Sequence, residues 1–228
     1  MAGFNGFSKE LLSFFDTLRL NNTQEWFNDH KKDYEVFVKK PAMQFVEAMG
    51  EKLQTITPGI NAIPKINQSL FRINRDTRFS KDKTPYKTNM GIWFWEGEGK
   101  RMECSGFYFH VDDDELMLGV GVYQFPKHLL EKFRDAVVDP VRGASLVKVL
   151  KKMEKAGFSA NGKHYKRVPR GYDPDHKNAD YLLYNGFHSR VTTRLPKEFY
   201  SKALIDYAFK KFKTMLPLHE WLRDSVVA

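Results

Sequence analysis

The chain has 228 residues, of which 42% are hydrophobic, and its formal net charge is +9. Such a chain can bury one substantial core, which excludes a disordered protein. The single cysteine, Cys104, excludes an internal disulfide, and no apolar run reaches the roughly 18 residues needed to cross a bilayer. The N-terminal segment lacks the basic region of a signal peptide. We therefore expect a cytoplasmic protein without membrane association.

Residues 8–56 are predicted to be helical. Apolar residues recur at helical spacing after Ser8, a predicted N-cap. Asn22, with Glu25 three residues later, is predicted to form a capping box. Pro41 is expected to kink or restart the following helix, because proline cannot donate a hydrogen bond inside it.

Residues 69–123 are predicted to form antiparallel strands. In the segment SLFRINR, alternation places Leu70 and Arg72 on one face and Phe71 and Ile73 on the other. The runs GIWFWEG and MECSGFYFHV are rich in aromatic residues, which favour strands. The run DDDE lacks a calcium-loop pattern and is predicted to be a hairpin turn leading into LMLGVGVYQF.

Residues 126–228 are predicted to contain both helices and strands. Two helices are expected in PKHLLEKFRDAVV and ASLVKVLKKMEKAG, and short strands near Phe158 and in FHSRVTTRL. Asp173 is predicted to cap a helix, and the last helix is predicted to run from Pro196 to about Met215, with a final turn in PLHEWL. We therefore predict an α+β fold with a single domain over residues 1–228. A mainly antiparallel sheet of about five to six strands would pack against N-terminal and C-terminal helices.

The positive charge is concentrated in two stretches. The basic motif, residues 72–87 (RINRDTRFSKDKTPYK), has six basic and two acidic residues. Residues 163–177 have five basic and two acidic residues, so the two stretches together carry +7 of the total +9. A protein that was basic only for solubility would not need such clustering, which favours an anionic partner.

The basic motif offers several donors for an anion. Arginine presents a planar fork suited to phosphate or carboxylate, and lysine supplies a compact charge. The alternative is a solvated surface loop in which Asp76 and Asp82 pair with their neighbours. Phe79, Pro85 and Tyr86 are costly in a purely solvated loop, so we expect the loop to pack. The predicted anion ligands are Arg72, Arg75, Arg78, Ser80, Lys81, Lys83, Tyr86 and Lys87, with Lys166 and Arg170 as further contributors if the fold brings them near.

The carboxylates of the motif have a different predicted role. Asp76 and Asp82 lie among arginines, so we expect them to orient guanidinium groups rather than to accept protons. No His or Cys spacing typical of a metal site occurs, and we predict no metal ligands. The GVG at residues 119–121 lacks the third glycine of a dinucleotide fingerprint and is more typical of close packing between strands, so no cofactor is indicated.

Four segments in this order resemble one known family: NNTQEWFNDHKKDYE, FRINRDTRFSKDKTPYKTNMG, PRGYDPDH and PLHEWL. They are similar to bacterial and fungal proteins of domain-of-unknown-function family 2461, and the resemblance covers nearly the whole chain. The resemblance implies no named activity and no catalytic residues. It does imply that the basic motif belongs to the family signature, which favours a specific role over a solvated loop.

Three functions follow from these observations, in decreasing order of support. The first is binding of a phosphate-bearing or carboxylate-rich small molecule, with or without catalysis; electrostatic phosphate chemistry would suit these groups. The second is a structural or partner-binding protein in which the motif is an internal ion-pair lock. The third is nucleic-acid binding, with a basic footprint and with aromatic strands stacking on bases.

Overall fold

The computed structural model describes residues 3–227. Its helices are α1 (Lys9–Leu20), α2 (Gln24–Asp29), α3 (Lys31–Asp33), α4 (Lys40–Gln54), α5 (Lys127–Val138), α6 (Pro140–Lys155) and α7 (Ala203–Leu222). Its strands are β1 (Ile60–Asn61), β2 (Asn89–Glu96), β3 (Gly106–Asp112), β4 (Glu115–Val122), β5 (Ala160–Lys163) and β6 (Tyr184–Arg194). Turns of 3-10 helix lie at Ala179–Leu183 and Lys197–Tyr200, and π-helical turns at Tyr34–Lys39 and Arg223–Val227.

The strands form a six-stranded antiparallel sheet in the order β1-β2-β3-β4-β6-β5, which confirms the predicted α+β class. The predicted hairpin at DDDE is also confirmed, since β3 and β4 are neighbours joined by two residues. The first of these, Asp113, has φ 55°, a left-handed conformation that aspartate tolerates better than most residues. Gly121 in β4 has φ 117°, and a Cβ there would lie 2.3 Å from Phe187 O. The glycine therefore permits the close strand packing that was predicted for GVG.

The described chain groups into two compact units, each assembled from separate segments. The first unit comprises the chain up to Phe94 together with Tyr108–Met117 and Thr192–Lys210. The second unit comprises Trp95–Phe107, Leu118–Val191 and the chain from Lys211 onward.

An aromatic cluster fills the core of the first unit. Phe7 lies at its centre, with ring centroids 5.1 Å from Phe4, 5.7 Å from Phe45, 6.0 Å from Phe109 and 5.2 Å from Phe199. Such ring pairs add stabilisation beyond the area they bury. Phe45 is a buried residue of α4, so the amphipathic pattern of that helix places its apolar face on this cluster.

A buried polar chain lies in the core of the second unit. His219 of α7 is fully buried, with Nδ1 3.0 Å from Ser105 Oγ and Nε2 2.8 Å from Glu96 Oε2. Arg223 Nη1 donates to the same Glu96 oxygen at 2.9 Å. Buried polar groups need such partners to offset their lost hydration. These contacts attach the PLHEWL segment to the ends of strands β2 and β3.

The predicted strand region, 69–123, begins later than expected. The segment SLFRINR forms no continuous strand, and the first long strand starts at Asn89. Leu70 bridges to Ile92, and the flanking N–H groups of Trp93 and Phe71 donate to Ser69 O at 2.8 Å and to Gly91 O at 3.1 Å. Beyond Phe71 the chain pairs instead with its own return, through the bridge between Asn74 and Tyr86. It therefore does not continue along β2, and the prediction of a continuous strand was wrong.

The start of the last helix was also predicted wrongly. Pro196 precedes a turn of 3-10 helix, and Ser201 then adopts an extended conformation with φ −146° and ψ 168°. Helix α7 therefore begins only at Ala203, and it continues through Pro217 rather than ending before it. Among residues 3–227, no helix is both long and apolar enough to cross a membrane.

Candidate functional site

The basic motif forms a loop that is closed at its base by a short antiparallel stem. Arg75 N–H donates to Pro85 O and Lys87 N–H donates to Ile73 O, both at 2.8 Å. Pro85 has no N–H to donate in return, which limits how far the ladder can extend. The stem therefore stays short, and residues 76–84 form the loop.

Asn22 attaches this stem to the N-terminal helices. Its Nδ2 donates to Tyr86 O at 2.9 Å, and Tyr86 N–H donates to its Oδ1 at 3.0 Å. The Tyr86 ring stacks on Phe27 of α2, with centroids 4.2 Å apart. The predicted capping box is wrong, because the N-cap of α2 is Thr23, whose hydroxyl accepts from Trp26 N–H at 3.2 Å. An amide side chain offers one donor and one acceptor like a peptide unit, which lets Asn22 pair with backbone.

Two carboxylates inside the loop hold two of its arginines. Arg78 binds Asp76 through Nε to Oδ1 at 2.9 Å and Nη2 to Oδ2 at 2.7 Å. Arg75 Nη1 donates to both Asp82 Oδ2 and Thr84 Oγ1. Parallel donors on a carboxylate give directional pairing as well as charge neutralisation.

The same contacts set the charge of these carboxylates. The side-chain hydrogen bond from Arg78 lowers the pKa of Asp76 to about 2. The hydrogen bond from Thr84 N–H, followed by that from Arg75, lowers the pKa of Asp82 to about 2. Carboxylates with such low pKa values are poor general bases near neutral pH. Their contacts suit an orienting role better than proton transfer.

A cleft of about 390 Å³ opens beside the stem. The basic motif and the residue before it form one side, strand β2 contributes two residues, and strand β3 contributes one. All of the lining residues belong to the first compact unit. They are Phe71, Arg72, Arg75, Asp76, Lys87, Asn89, Gly91 and Tyr108.

Positive charge dominates this cleft. Three cations line it, but only one carboxylate, Asp76, which is already bound to Arg78. The Arg72 guanidinium forms no hydrogen bond or ion pair with any other residue in the described range 3–227. Lys87 Nζ donates to Arg72 O at 3.0 Å and lies 5.6 Å from the centre of the Phe71 ring. The cleft therefore presents an open guanidinium beside a positioned ammonium, which is an arrangement suited to an anion.

A tyrosine hydroxyl supplies a neutral hydrogen-bonding group to the same cleft. A Cβ at Gly91 would lie 2.7 Å from Tyr108 Oη, so the glycine leaves room for the hydroxyl. Tyr108 Oη lies 3.0 Å from His110 Nδ1. Burial raises the pKa of Tyr108 to about 12 and lowers the pKa of His110 below its usual 6.5. At neutral pH the phenol therefore keeps its proton and the imidazole is neutral.

Several residues of the predicted set lie outside the cleft. Tyr86 is buried in the stem, and Lys83 Nζ donates to Thr77 O at 2.8 Å. The predicted packing of Phe79 is wrong, because its side chain is 94% exposed. Arg78, Ser80, Lys81, Lys83 and Tyr86 do not line the cleft.

The second basic stretch lies in the other compact unit. Lys166 and Arg170 are exposed there, and neither lines the cleft. The helix predicted to start at Asp173 is also wrong. Asp175 N–H donates to Asp173 Oδ1 at 2.9 Å in a local turn, and the 3-10 turn Ala179–Leu183 follows later. The helix start that was predicted to follow Arg170 in sequence is therefore not formed.

Four lining residues were missed by sequence reasoning: Phe71, Asn89, Gly91 and Tyr108. Asn89 and Gly91 fall inside the family-like segment FRINRDTRFSKDKTPYKTNMG, which was the available signal for them. For Tyr108 the sequence offered only the alternation of the strand, which places it on the same face of β3 as His110. Its place in the cleft depends on tertiary packing.

A second cleft, of about 500 Å³, lies at the acidic β3–β4 hairpin. Arg19 enters it and its Nη2 lies 3.5 Å from Asp112 Oδ1. Over residues 3–227, no group of three or more His, Cys, Asp or Glu side chains is arranged to hold a metal ion. We place the candidate functional site at the basic cleft, because three cations line it together with one carboxylate that is already paired.

The fold and this cleft define an α+β protein with a basic pocket beside its sheet. The family model described as "Conserved hypothetical protein (DUF2461)" matches residues 10–221, so the chain belongs to the DUF2461 family. No curated protein and no solved structure matches it. The family description names no activity, so function must be inferred from the cleft.

Proposed function

We propose that the basic cleft binds an anionic small molecule, either phosphate-bearing or rich in carboxylates, through Arg72, Arg75 and Lys87. The observation that carries the proposal is the open guanidinium of Arg72 at a cleft with one carboxylate, Asp76, that is already paired. The guanidinium is exposed, and its charge interacts with Asp76, so its donors stay accessible to an anion in the cleft. Asn89 and Tyr108 would add neutral hydrogen bonds.

The size of the cleft supports a small ligand. Its volume of about 390 Å³ falls within the range of roughly 300–1,000 Å³ that is typical of small-molecule sites. A guanidinium can bind two oxygens of one phosphate or carboxylate at once, and a lysine adds charge without strict geometry. We expect these groups to favour ligands with two or more negative charges.

A second candidate function is the internal ion-pair lock. The pairs between Arg78 and Asp76 and between Arg75 and Asp82 favour it, because they close the loop on itself. The two functions share Arg75, which pairs with Asp82 and also lines the cleft, whereas Arg72 and Lys87 line the cleft and belong to neither pair. A protein in which the motif were only a lock would bind no anion there.

Nucleic-acid binding has less support. The strand aromatics expected to stack on bases lie in IWFW and FYF, where Trp93, Phe94, Trp95, Phe107 and Phe109 are buried and Tyr108 is half-buried. Buried rings cannot offer a stacking platform. Oligonucleotides are therefore best used as a comparison ligand.

Thermal melts at matched ionic strength test the proposal. Phosphate, sugar phosphates, nucleotides, dicarboxylates and a short oligonucleotide would be compared as ligands. A ligand at a hundred times its dissociation constant stabilises by about 2.7 kcal/mol, which corresponds to a rise in Tm of roughly 5–10 °C for a chain of this size.

Two variants locate the site. Arg72→Ala removes the open guanidinium, and Lys81→Ala removes a matched exposed charge of the same motif outside the cleft. We expect Arg72→Ala to abolish the rise in Tm and Lys81→Ala to retain it. If both variants lose the ligand-induced rise in Tm equally, the attraction is nonspecific. If no ligand class raises the Tm of the wild-type protein, the internal ion-pair lock is favoured.

A further inference from the structure

We propose that Tyr108 donates the directional hydrogen bond of the basic cleft to a bound oxyanion, and that His110 sets the direction of this bond. Anion binding would then place a proton on His110 Nδ1. The inference rests on the proposed function of the cleft and assigns a positioning role to His110, which does not line it.

The geometry places the two side chains in series. Tyr108 and His110 project from the same face of β3, and both are half-buried. Tyr108 lines the cleft, while its Oη lies 3.0 Å from His110 Nδ1. The absent side chain of Gly91 leaves the space around Oη open. An oxyanion in the cleft and the imidazole therefore compete for one hydroxyl.

The hydroxyl can serve only one of them as donor. A phenol carries one proton, and a neutral imidazole has one donor and one acceptor nitrogen. When Nδ1 is unprotonated, the phenol donates to it and turns only lone pairs toward an anion. When Nδ1 carries a proton, it donates to Oη, and the phenol proton is free to point into the cleft. A negative ligand favours the second arrangement, because a hydrogen bond to an ionised acceptor is stronger.

The proton on Nδ1 has two sources. It reaches Nδ1 by tautomer exchange from Nε2 through solvent, or by protonation of the whole ring. Asp112 favours the protonated ring, whereas Lys87 and burial oppose it, with burial the largest effect. The phenol itself stays protonated, because burial raises the pKa of Tyr108. Near neutral pH, we expect tautomer exchange to be the main response to an anion.

Nitrogen NMR of the histidine rings tests the proposal with inorganic phosphate as the probe. Long-range proton–nitrogen spectra of the whole ¹⁵N-labelled chain distinguish protonated from unprotonated Nδ1. At pH 7.5 we expect the His110 Nδ1 signal to move from the unprotonated toward the protonated position as phosphate is added. Tyr108→Phe and Arg72→Ala should both prevent this movement.

Binding affinities give a second readout. Tyr108→Phe should weaken phosphate binding roughly three- to tenfold, as expected for loss of one hydrogen bond. His110→Asn keeps an N–H donor near the Nδ1 position and should retain the affinity. His110→Leu removes the donor and should weaken binding as much as Tyr108→Phe does.

The outcomes separate the inference from the proposed function. Suppose that phosphate binds and that Arg72→Ala abolishes binding, but that the His110 Nδ1 signal does not change. The role of Tyr108 and His110 is then overturned, whereas anion binding by the basic cleft still stands. Equal affinity of the His110→Asn and His110→Leu variants would overturn it as well. If the wild-type protein binds no phosphate, nucleotide or dicarboxylate, both the proposed anion binding and the role of Tyr108 and His110 are overturned.

Discussion

The side chain of Asn22 and the backbone of Tyr86 form two hydrogen bonds across 64 residues of sequence. The amide takes the place of a neighbouring strand: it accepts from Tyr86 N–H and donates to Tyr86 O. The segment NNTQEWF and the basic motif are thereby joined at one point. The base of the charged loop, and with it one side of the cleft, depends on this contact.

Asn22→Ala is expected to destabilise the protein. It leaves a part-buried N–H and C=O of Tyr86 without partners, which costs about 1–3 kcal/mol. Urea unfolding would measure the loss, and hydrogen exchange of the Tyr86 amide should accelerate. Asn21→Ala is a matched control, because the Asn21 amide makes one exposed hydrogen bond to Thr17 O. Equal loss in the two variants would contradict the special role of Asn22.

The two aromatic residues of the basic motif should differ sharply in their effect on stability. Phe79→Ala should change the free energy of unfolding by no more than about 0.5 kcal/mol, because its side chain is exposed. Tyr86→Ala should cost about 3–5 kcal/mol, since a buried ring stacked on Phe27 is removed. Chemical denaturation of both variants measures the contrast. A large loss in Phe79→Ala would show that the loop packs.

The pKa of Asp76 predicts how the loop responds to acid. Its folded value of about 2 lies below the ordinary 3.8, so the ion pair stabilises the folded state above pH 4. That contribution is lost as the pH falls from about 4 to about 2. A pH titration followed by carbon NMR of the carboxyl groups should give a midpoint near 2 for Asp76. Arg78→Ala should return the Asp76 midpoint toward 3.8 and leave Asp82 low, because Asp82 is bonded to Thr84 and Arg75.

Gly91→Ala should disturb the cleft through Tyr108. The added Cβ would lie 2.7 Å from Tyr108 Oη and 3.2 Å from the Phe71 ring, and such overpacking costs about 1–3 kcal/mol. Phosphate affinity should fall because the hydroxyl is displaced. Removing the hydroxyl in the double variant Gly91→Ala/Tyr108→Phe should recover part of the stability. If the stability losses of Gly91→Ala and Tyr108→Phe simply add in the double variant, the two positions are not in contact.

Local patterns were sufficient to predict the first helix and the central hairpin. In α1, the spacing of Leu11, Phe14, Phe15 and Leu18 is that of one helical face, and all four are buried. The hairpin at DDDE followed from turn residues between two apolar runs. These features depend on neighbours in sequence, so the sequence was enough to find them.

The cleft depends on contacts that no local pattern contains. Arg72, Arg75 and Lys87 were found because charge clusters are visible in sequence, but Tyr108 reaches them from another strand. Asn22 was assigned to a cap because Glu25 follows at the right spacing, whereas its partner lies 64 residues away. The predicted strand before Arg75 failed for a similar reason, since the chain leaves β2 after Phe71 and pairs with its own return at Asn74 and Tyr86.

The N-terminal helices of the first unit rest on a segment that is synthesised very late. Phe7 N–H donates to Phe199 O at 3.0 Å, and the two rings are 5.2 Å apart. At a synthesis rate of about 5–20 residues per second, residue 199 follows residue 7 by roughly 10–40 s. Throughout that interval on the ribosome, the Phe7 cluster lacks Phe199. The packing of the segment around Phe7 can therefore be completed only after residue 199 has been made, however early that segment leaves the ribosome.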